Sequence, residues 1–399
     1  MATIQPFRAL RPRPDLASQV ASVPYDVVNR QEAAALAAGN AASFLHVTKP
    51  EIDMPADADP YSDDVYQQGA TALRRLRDEG TLIRDAQPCL YIYALTWRGH
   101  TQIGIVLLAS VSEYDANIVR KHEHTRPDKE DDRVRHMEIL GAQSGTVFLT
   151  HRDHHAIATV VQAVTAAPPL VAFTADDEVT HRFWVVDDAT QIQALIAGFA
   201  ANGPLYIADG HHRSAAASRV AAARGLADAG FLAVSFPVSE MRILPYNRIV
   251  RDLGRHDAAG FLAAVGERFD VTPGKPTPSG AKQFGMFLAG AWHTLRARPG
   301  SWDPTDPVAR LDVSILQEQL LAPLLGIADP RRDKRIEFVG GIRGDAELER
   351  RTGDGVAFAL HATAIADLLA IADAEEVMPP KSTWFEPKLR DGLFVHLLE

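Results

Sequence analysis

Apolar residues recur along this chain with two periods, and their alternation predicts a mixed α/β (α+β) architecture. From Tyr61 to Gly80 they return at helical spacing and predict a long amphipathic helix; the alanine-rich run Gln31 to Ala42 predicts a shorter one. The stretch "PCLYIYALTWRGHTQIGIVLLASVSEY" predicts two antiparallel strands about an arginine-glycine turn, with Tyr91, Tyr93 and Leu95 on one face and Ile92 and Ala94 on the other. After Pro127, "DKEDDRVRHMEILGAQ" predicts a helix with acidic residues in its first turn, where the macrodipole favours them. Strands are expected at "GTVFLT" and "HRFWVVDD", helices at "ATVVQAVTAA" and "ATQIQALIAGFAANG", and extended chain at "SFLHVTKPEID".

The turn-rich segment "DVTPGKPTPSGAK", Asp270 to Lys282, predicts the main internal seam. It divides the chain into a main α/β lobe at residues 1–270 and a second α+β lobe at residues 271–399. In the second lobe "QFGMFLAGAWHTLRAR" predicts a hairpin and "DVSILQEQLLAPLLGI" a buried helix. The strand "RIEFVGG", the helix "ATAIADLLAIADAEE" and the closing "GLFVHLLE" complete it.

Chemistry concentrates in "GPLYIADGHHRSAAASRVAAARGL". Leu205, Tyr206 and Ile207 form a strand-type run, Ser214 to Leu226 an alanine-rich helix, and Asp209 to Arg213 the joint between them. Gly210 permits the bend, and the first helical turn presents unpaired amides with partial positive charge. Arg213 adds a planar fork of donors matched to phosphate or carboxylate, with His211 and His212 beside it. Asp209 orients one of these cations or holds a metal. The joint is not a Walker loop, because the G-x-x-x-x-G-K-[ST] spacing is absent.

Three further stretches gather polar and charged groups. "IVRKHEHTRPDKEDDRVRH" crowds Arg120, Lys121, His122, Glu123, His124, Asp131, Asp132 and Arg133 between a strand and a helix. Its HEHT departs from H-E-x-x-H and has no third soft ligand nearby in sequence, which argues against zinc. "VMPPKSTWFEPKL" stiffens the chain near its end with prolines and offers Lys381, Ser382, Thr383 and Lys388, with Trp384 and Phe385 as anchors. "ASVPYDVVNRQE" places Tyr25 and Asp26 just before a helix, Asp26 as a cap or turn acceptor or as a contact to substrate or metal.

Bulk composition narrows the partners. A formal charge of -10 repels nucleic acid and anionic membranes at long range, so neither is an expected partner. Cys89 is the one cysteine, which excludes an intrachain disulfide and suits a small buried hydrophobe. Without a signal-peptide pattern or about 18 uninterrupted apolar residues, a soluble cytoplasmic protein is expected.

"ASVPYDVV", "RKHEHT" with the following "DR", "ADGHHR" and "MPPKSTWFEPKL" with the following "GL" come in this order over nearly the whole chain, which resembles the family called domain of unknown function 1015. Asp209 to Arg213 is also similar to the phosphate-contacting motif of free-serine kinases, which share the ParB/sulfiredoxin-like fold. The resemblance implies a ParB/sulfiredoxin-like core with additional sheet and helices, a motif lying against nucleotide phosphates, and a separate glutamate acting as base on a serine hydroxyl. That glutamate has no aligned counterpart here, and Glu123 takes its place on chemical grounds.

The expected reaction is phosphoryl transfer to a hydroxyl such as that of free L-serine, giving O-phosphoserine, with ATP, ADP, pyrophosphate or polyphosphate as donor and Mg²⁺ as cofactor. Glu123, His122 and Asp209 are the expected catalytic groups, with Asp209 on the metal. Gly210, His211, His212, Arg213, Arg120, Lys381, Ser382 and Thr383 are expected on phosphate, and Tyr25, Asp26, Arg133, Trp384 and Lys388 on substrate. Alternatives are a ParB-like nucleotide-binding regulatory protein and a metal-dependent phosphohydrolase using the same basic pocket.

Overall fold

In the computed structural model, which describes residues 1–398, the alternating runs become neighbours in one nine-stranded sheet. Its strands are β1 (Ile4–Gln5), β2 (Leu90–Trp97), β3 (His100–Ser110), β4 (Val119–Arg120), β5 (Val147–His151), β6 (Val171–Thr174), β7 (Thr180–Val186), β8 (Leu205–Asp209) and β9 (Gly230–Pro237). They lie in the order β4-β8-β5-β9-β3-β2-β7-β6, with β1 also pairing β3. Pairing is parallel between β8 and β4 and between β9 and β5, and antiparallel elsewhere, so the sheet is mixed. The β2–β3 hairpin turns at Arg98 and Gly99, both at positive φ, the geometry that follows strand twist.

The longer helices of this unit are α1 (Arg30–Ala37), α2 (Asp63–Asp78), α3 (Pro127–Leu140), α4 (His155–Thr165), α5 (Ala189–Asn202) and α6 (His211–Arg224). Alternation along β2 separates two buried faces rather than inside from outside. Ile92 and Ala94 share a core cluster with Leu107, Ile207, Phe199 and Val220, whereas Tyr91 and Tyr93 pack against Phe394 on the other side. Tyr91 remains satisfied in that position: its hydroxyl donates to Asp85 at 2.7 Å and accepts from the Ala9 amide at 3.1 Å. In α6, Ala215, Ala216, Ala217 and Ala221 are buried, small side chains that let the helix lie close to the sheet and to α3.

"SFLHVTKPEID" forms two short helical turns, Leu45–Thr48 and Pro50–Asp53, instead of extended chain. Phe44, Leu45, Val47 and Thr48 are all buried, and a strand would have sent neighbours to opposite faces.

Contacts divide the chain into two units, Met1–Met241 with the chain from Pro387 onward, and Arg242–Glu386. The second unit carries β10 (Tyr246–Val250), β11 (Phe269–Pro273), β12 (Gln283–Leu288), β13 (Ala291–Ala297), β14 (Ile336–Gly340) and β15 (Val356–Leu360). These form an antiparallel sheet in the order β11-β13-β12-β15-β10-β14. Asp270 to Lys282 therefore runs from β11 to β12 inside one sheet, while the units divide at Met241/Arg242; a polar, turn-rich loop reads alike within a domain and between domains. The buried helix expected from Asp312 is interrupted by a wide π turn at Gln317–Leu321, ahead of Pro323. The closing "GLFVHLLE" belongs to the first unit, where Val395 exchanges backbone hydrogen bonds with Leu10 and His396–Leu397 pairs with Ala142–Gln143. Among the described residues, no helix is long and apolar enough to cross a membrane.

Candidate functional site

The joint after β8 is built as its residue types require. Gly210 sits at φ +98°, a backbone that favours glycine, and a Cβ there would stand 3.0 Å from Arg213 Nε, so a side chain would also have to shift that guanidinium. The Gly210 carbonyl then accepts from the Arg213 and Ser214 amides and starts α6. Arg213 folds its guanidinium back under this turn, where one terminal nitrogen donates to the Thr146 carbonyl just before β5.

That guanidinium is only 7% exposed, yet it is not saturated. Its other terminal nitrogen stands 3.7 Å from Asp209 and 3.9 Å from Asp26, beyond ordinary hydrogen-bond length, and Nε has no partner among the described residues. Burial works against its charge, but the carboxylates of Asp26 and Asp209 overcome it and raise the pKa further. Asp209 in turn accepts from Lys388 Nζ at 2.9 Å. Burial pushes this carboxyl up, and Lys388 and Arg213 outweigh it, so Asp209 is held well below the usual carboxylate range. Asp209, expected on the metal, thus faces two cations, Lys388 at 2.9 Å and Arg213 at 3.7 Å.

On the neighbouring strand β4, Arg120 stands opposite Tyr206 of β8, and the chain beyond it brings His122 and Glu123 to the joint. His122 is buried, hydrogen-bonded to the Ile207 carbonyl, and its Nδ1 has no partner among the described residues. Burial lowers its pKa to about 4 and holds His211 well below its ordinary value too, so both rings are neutral near pH 7. The rings meet edge to face at 4.6 Å, and His211 Nδ1 is 4.0 Å from Glu123 Oε2. His122, Glu123 and His211 offer ligand atoms that all lie within 4.8 Å of one another. His212 points elsewhere: its Nε2 accepts the Arg126 amide at 3.1 Å and ties the HEHT segment to α6.

A cleft beside Arg213 is lined by Tyr25, Arg133, Gln143, Ser144 and Gly145. The Arg133 guanidinium covers the Tyr25 ring at 3.9 Å while holding Asp132 Oδ2 through two nitrogens at 3.0 and 2.8 Å. Tyr66 completes this arrangement by donating to Asp132 Oδ1 at 2.8 Å.

Asp391 was not foreseen at this site. It exchanges backbone hydrogen bonds with Ser22 and is 1% exposed, and its Oδ2 has no partner among the described residues. Burial pushes its carboxyl up to about 7, with Arg213 pulling down and Asp26 pushing up. The Asp-Gly pair that follows "PKLR" was the available signal, hidden because Asp-Gly also marks ordinary turns.

Tyr25, Asp26, Arg120, His122, Glu123, Arg133, Asp209 to Arg213 and Lys388 thus all belong to the first unit. Lys381, Ser382, Thr383 and Trp384 belong to the second. There Arg248 donates to the Lys381 carbonyl at 3.1 Å, Lys381 Nζ lies 5.6 Å over the Tyr246 ring, and Trp384 packs on that same ring. Ser382 donates to the Pro379 carbonyl at 2.6 Å, and its own carbonyl accepts from Thr363.

The family described as "Protein of unknown function (DUF1015)" matches residues 4–314. No curated protein matches the chain. Among solved structures, one described as free serine kinase in complex with AMP is similar with 11% identity and a TM-score of 0.36, over 74% of this chain and 92% of that one. A conserved hypothetical protein from Pyrococcus furiosus is similar with 14% identity and a TM-score of 0.36, over 74% and 95%. SbnI from Staphylococcus aureus is similar with 10% identity and a TM-score of 0.40, over 73% and 87%. At these scores the likeness is remote.

Proposed function

This chain belongs to the DUF1015 family, and from that premise we propose that it transfers a phosphoryl group from a phosphate-rich donor to the hydroxyl of a small molecule. Free L-serine is the acceptor suggested by the similarity of Asp209 to Arg213 to the serine-kinase motif. The observation that carries the reading is the buried Arg213 guanidinium, ionised and with its Nε unpartnered, under a glycine turn that opens a helix. Such a fork, beside the first amides of α6, is a site for phosphate oxygens. Lys388 and Arg120 add positive charge around it.

Glu123, with a side chain 42% exposed, is within reach of an acceptor entering from solvent. In the reaction its carboxylate takes the hydroxyl proton while the oxygen bonds to phosphorus and the bond from phosphorus to the donor's bridging oxygen breaks, leaving the donor one phosphate shorter. His122 and His211, both neutral, position Glu123 from behind. Tyr25, Asp26 and Arg133 hold the acceptor.

The test is a panel of ATP, ADP, pyrophosphate and polyphosphate against hydroxyl acceptors, followed by phosphorus NMR. A phosphomonoester of L-serine or of another small hydroxyl compound, lost in Glu123→Gln while donor binding persists, supports the proposal. Orthophosphate released to water whatever the acceptor overturns it in favour of a phosphohydrolase. Donor binding with slow hydrolysis and a conformational change overturns it in favour of a nucleotide-switched regulator.

A further inference from the structure

We propose that His122, Glu123 and His211 form a binding site for one borderline divalent transition-metal ion, of the zinc and cobalt class. Two imidazoles and one carboxylate are a donor set of catalytic zinc sites, in which a fourth position stays open to water or substrate. Imidazole nitrogen favours such ions over magnesium or calcium, which take oxygen ligands.

Three observations support the assignment, and the first is proximity. The ligand atoms lie within 4.8 Å of one another, and His211 Nδ1 and Glu123 Oε2 stand 4.0 Å apart. In a tetrahedral site with bonds of about 2.0–2.1 Å the ligand atoms stand roughly 3.4 Å apart, so this pair has only about half an ångström to close.

The second is the state of His122. Its Nδ1 is the unpartnered nitrogen and its ring hydrogen-bonds the Ile207 carbonyl, so Nε2 carries the proton and Nδ1 presents a lone pair. A metal-bound histidine is characteristically fixed in this way, by donating its other N–H to a carbonyl. A bare lone pair on a side chain 2% exposed is otherwise a cost. The third is access: both histidines are buried, while Glu123 faces solvent and leaves a route for an ion and its open position.

The isolated sequence argued against zinc because HEHT lacked a third soft ligand. His211 supplies it from the start of α6, 88 positions after Glu123, where β8 lies beside β4. An ion held there would supply Lewis acidity to an oxygen bound at its open position. Binding itself does not depend on the phosphoryl-transfer reading, and it is tested with neither donor nor acceptor present.

The experiment titrates Co²⁺ into the full chain after chelator treatment, followed by visible absorption and equilibrium dialysis. The expected result is one equivalent bound, with d–d bands of four- or five-coordinate cobalt that Zn²⁺ abolishes and Mg²⁺ does not. Glu123→Gln, at an exposed position where folding is checked by circular dichroism, should weaken binding by more than the roughly 10–100-fold that loss of an outer-shell partner costs. His211→Gln should do the same, and His124→Ala should change nothing. Absence of the bands, or binding that survives Glu123→Gln or is lost in His124→Ala, overturns the assignment, whatever the outcome of the transfer assay.

Discussion

Lys388 Nζ stands 2.9 Å from Asp209 Oδ2 across 179 positions of chain, and this ion pair fixes the charge state of the turn below Arg213. It also brings the chain at Lys388, within the first unit, to the strand end where His211 and Arg213 begin α6.

Lys388→Met should therefore cost about 1–2 kcal/mol at pH 7, a value reduced from that of a fully buried pair because water reaches both partners. Asp209 has a folded pKa depressed below its ordinary 3.8, so its stabilisation is present above that value and is lost as pH falls through the folded pKa. Urea denaturation at pH 7 and near pH 3 measures it, and the gap between wild type and variant should narrow at the lower pH.

Arg213→Lys keeps the charge and removes the fork. Donor affinity, measured calorimetrically with pyrophosphate or ADP, should fall roughly 10- to 100-fold, the equivalent of about 1.5–3 kcal/mol for hydrogen bonds to a charged group. Equal affinity in the variant would mean that this guanidinium holds its own loop together and does not meet phosphate.

Gly210→Ala should destabilise the protein by about 1–3 kcal/mol, through strain at positive φ and through the Cβ pressing on Arg213. Thermal denaturation reads the first effect. Donor affinity, falling in the same variant, reads the displaced guanidinium.

Stability should rise with pH between about 4 and 6.5. Burial lowers the pKa of His122 to about 4 and of His136 and His151 to about 3, and lowers that of His181 and His211 as well. A base whose folded pKa lies below its unfolded one contributes stability that is present above the unfolded value and lost as pH falls below it, by up to about 1.4 kcal/mol per pH unit per group. Asp391 acts oppositely: raised to about 7 from 3.8, it costs stability as pH rises between those values. Five histidines outweigh one aspartate, and Asp391→Asn should steepen the rise and stabilise the protein at pH 8 but not at pH 4. A urea-midpoint series across this range decides both.

Much of the secondary structure was legible because it rests on local periodicity. The hairpin about Arg98 and Gly99, the helix after Pro127, and the strand and helix flanking Gly210 each follow from side-chain spacing and from residues suited to a turn or a helix start. "SFLHVTKPEID" was misread, since four buried residues so close together are served by a helical turn that only their surroundings select. The division into units was misplaced for a related reason: a proline-rich loop announces a turn but not what the turn connects.

The types of the site residues were likewise readable, because Asp-Gly-His-His-Arg gathers a carboxylate, two imidazoles and a guanidinium around one glycine turn at a strand-to-helix joint. Proximity was not. That β4 and β8 are adjacent, that Lys388 reaches Asp209, that Asp391 is buried near Arg213, and that His211 stands as a third ligand beside His122 and Glu123 are all consequences of sheet order and chain return. Sequence alone determined the short-range periods and the chemistry on offer. Tertiary structure decided which distant groups share a dielectric environment, because burial and pairing, which set charge and ligand competence, depend on distances that chain spacing does not encode.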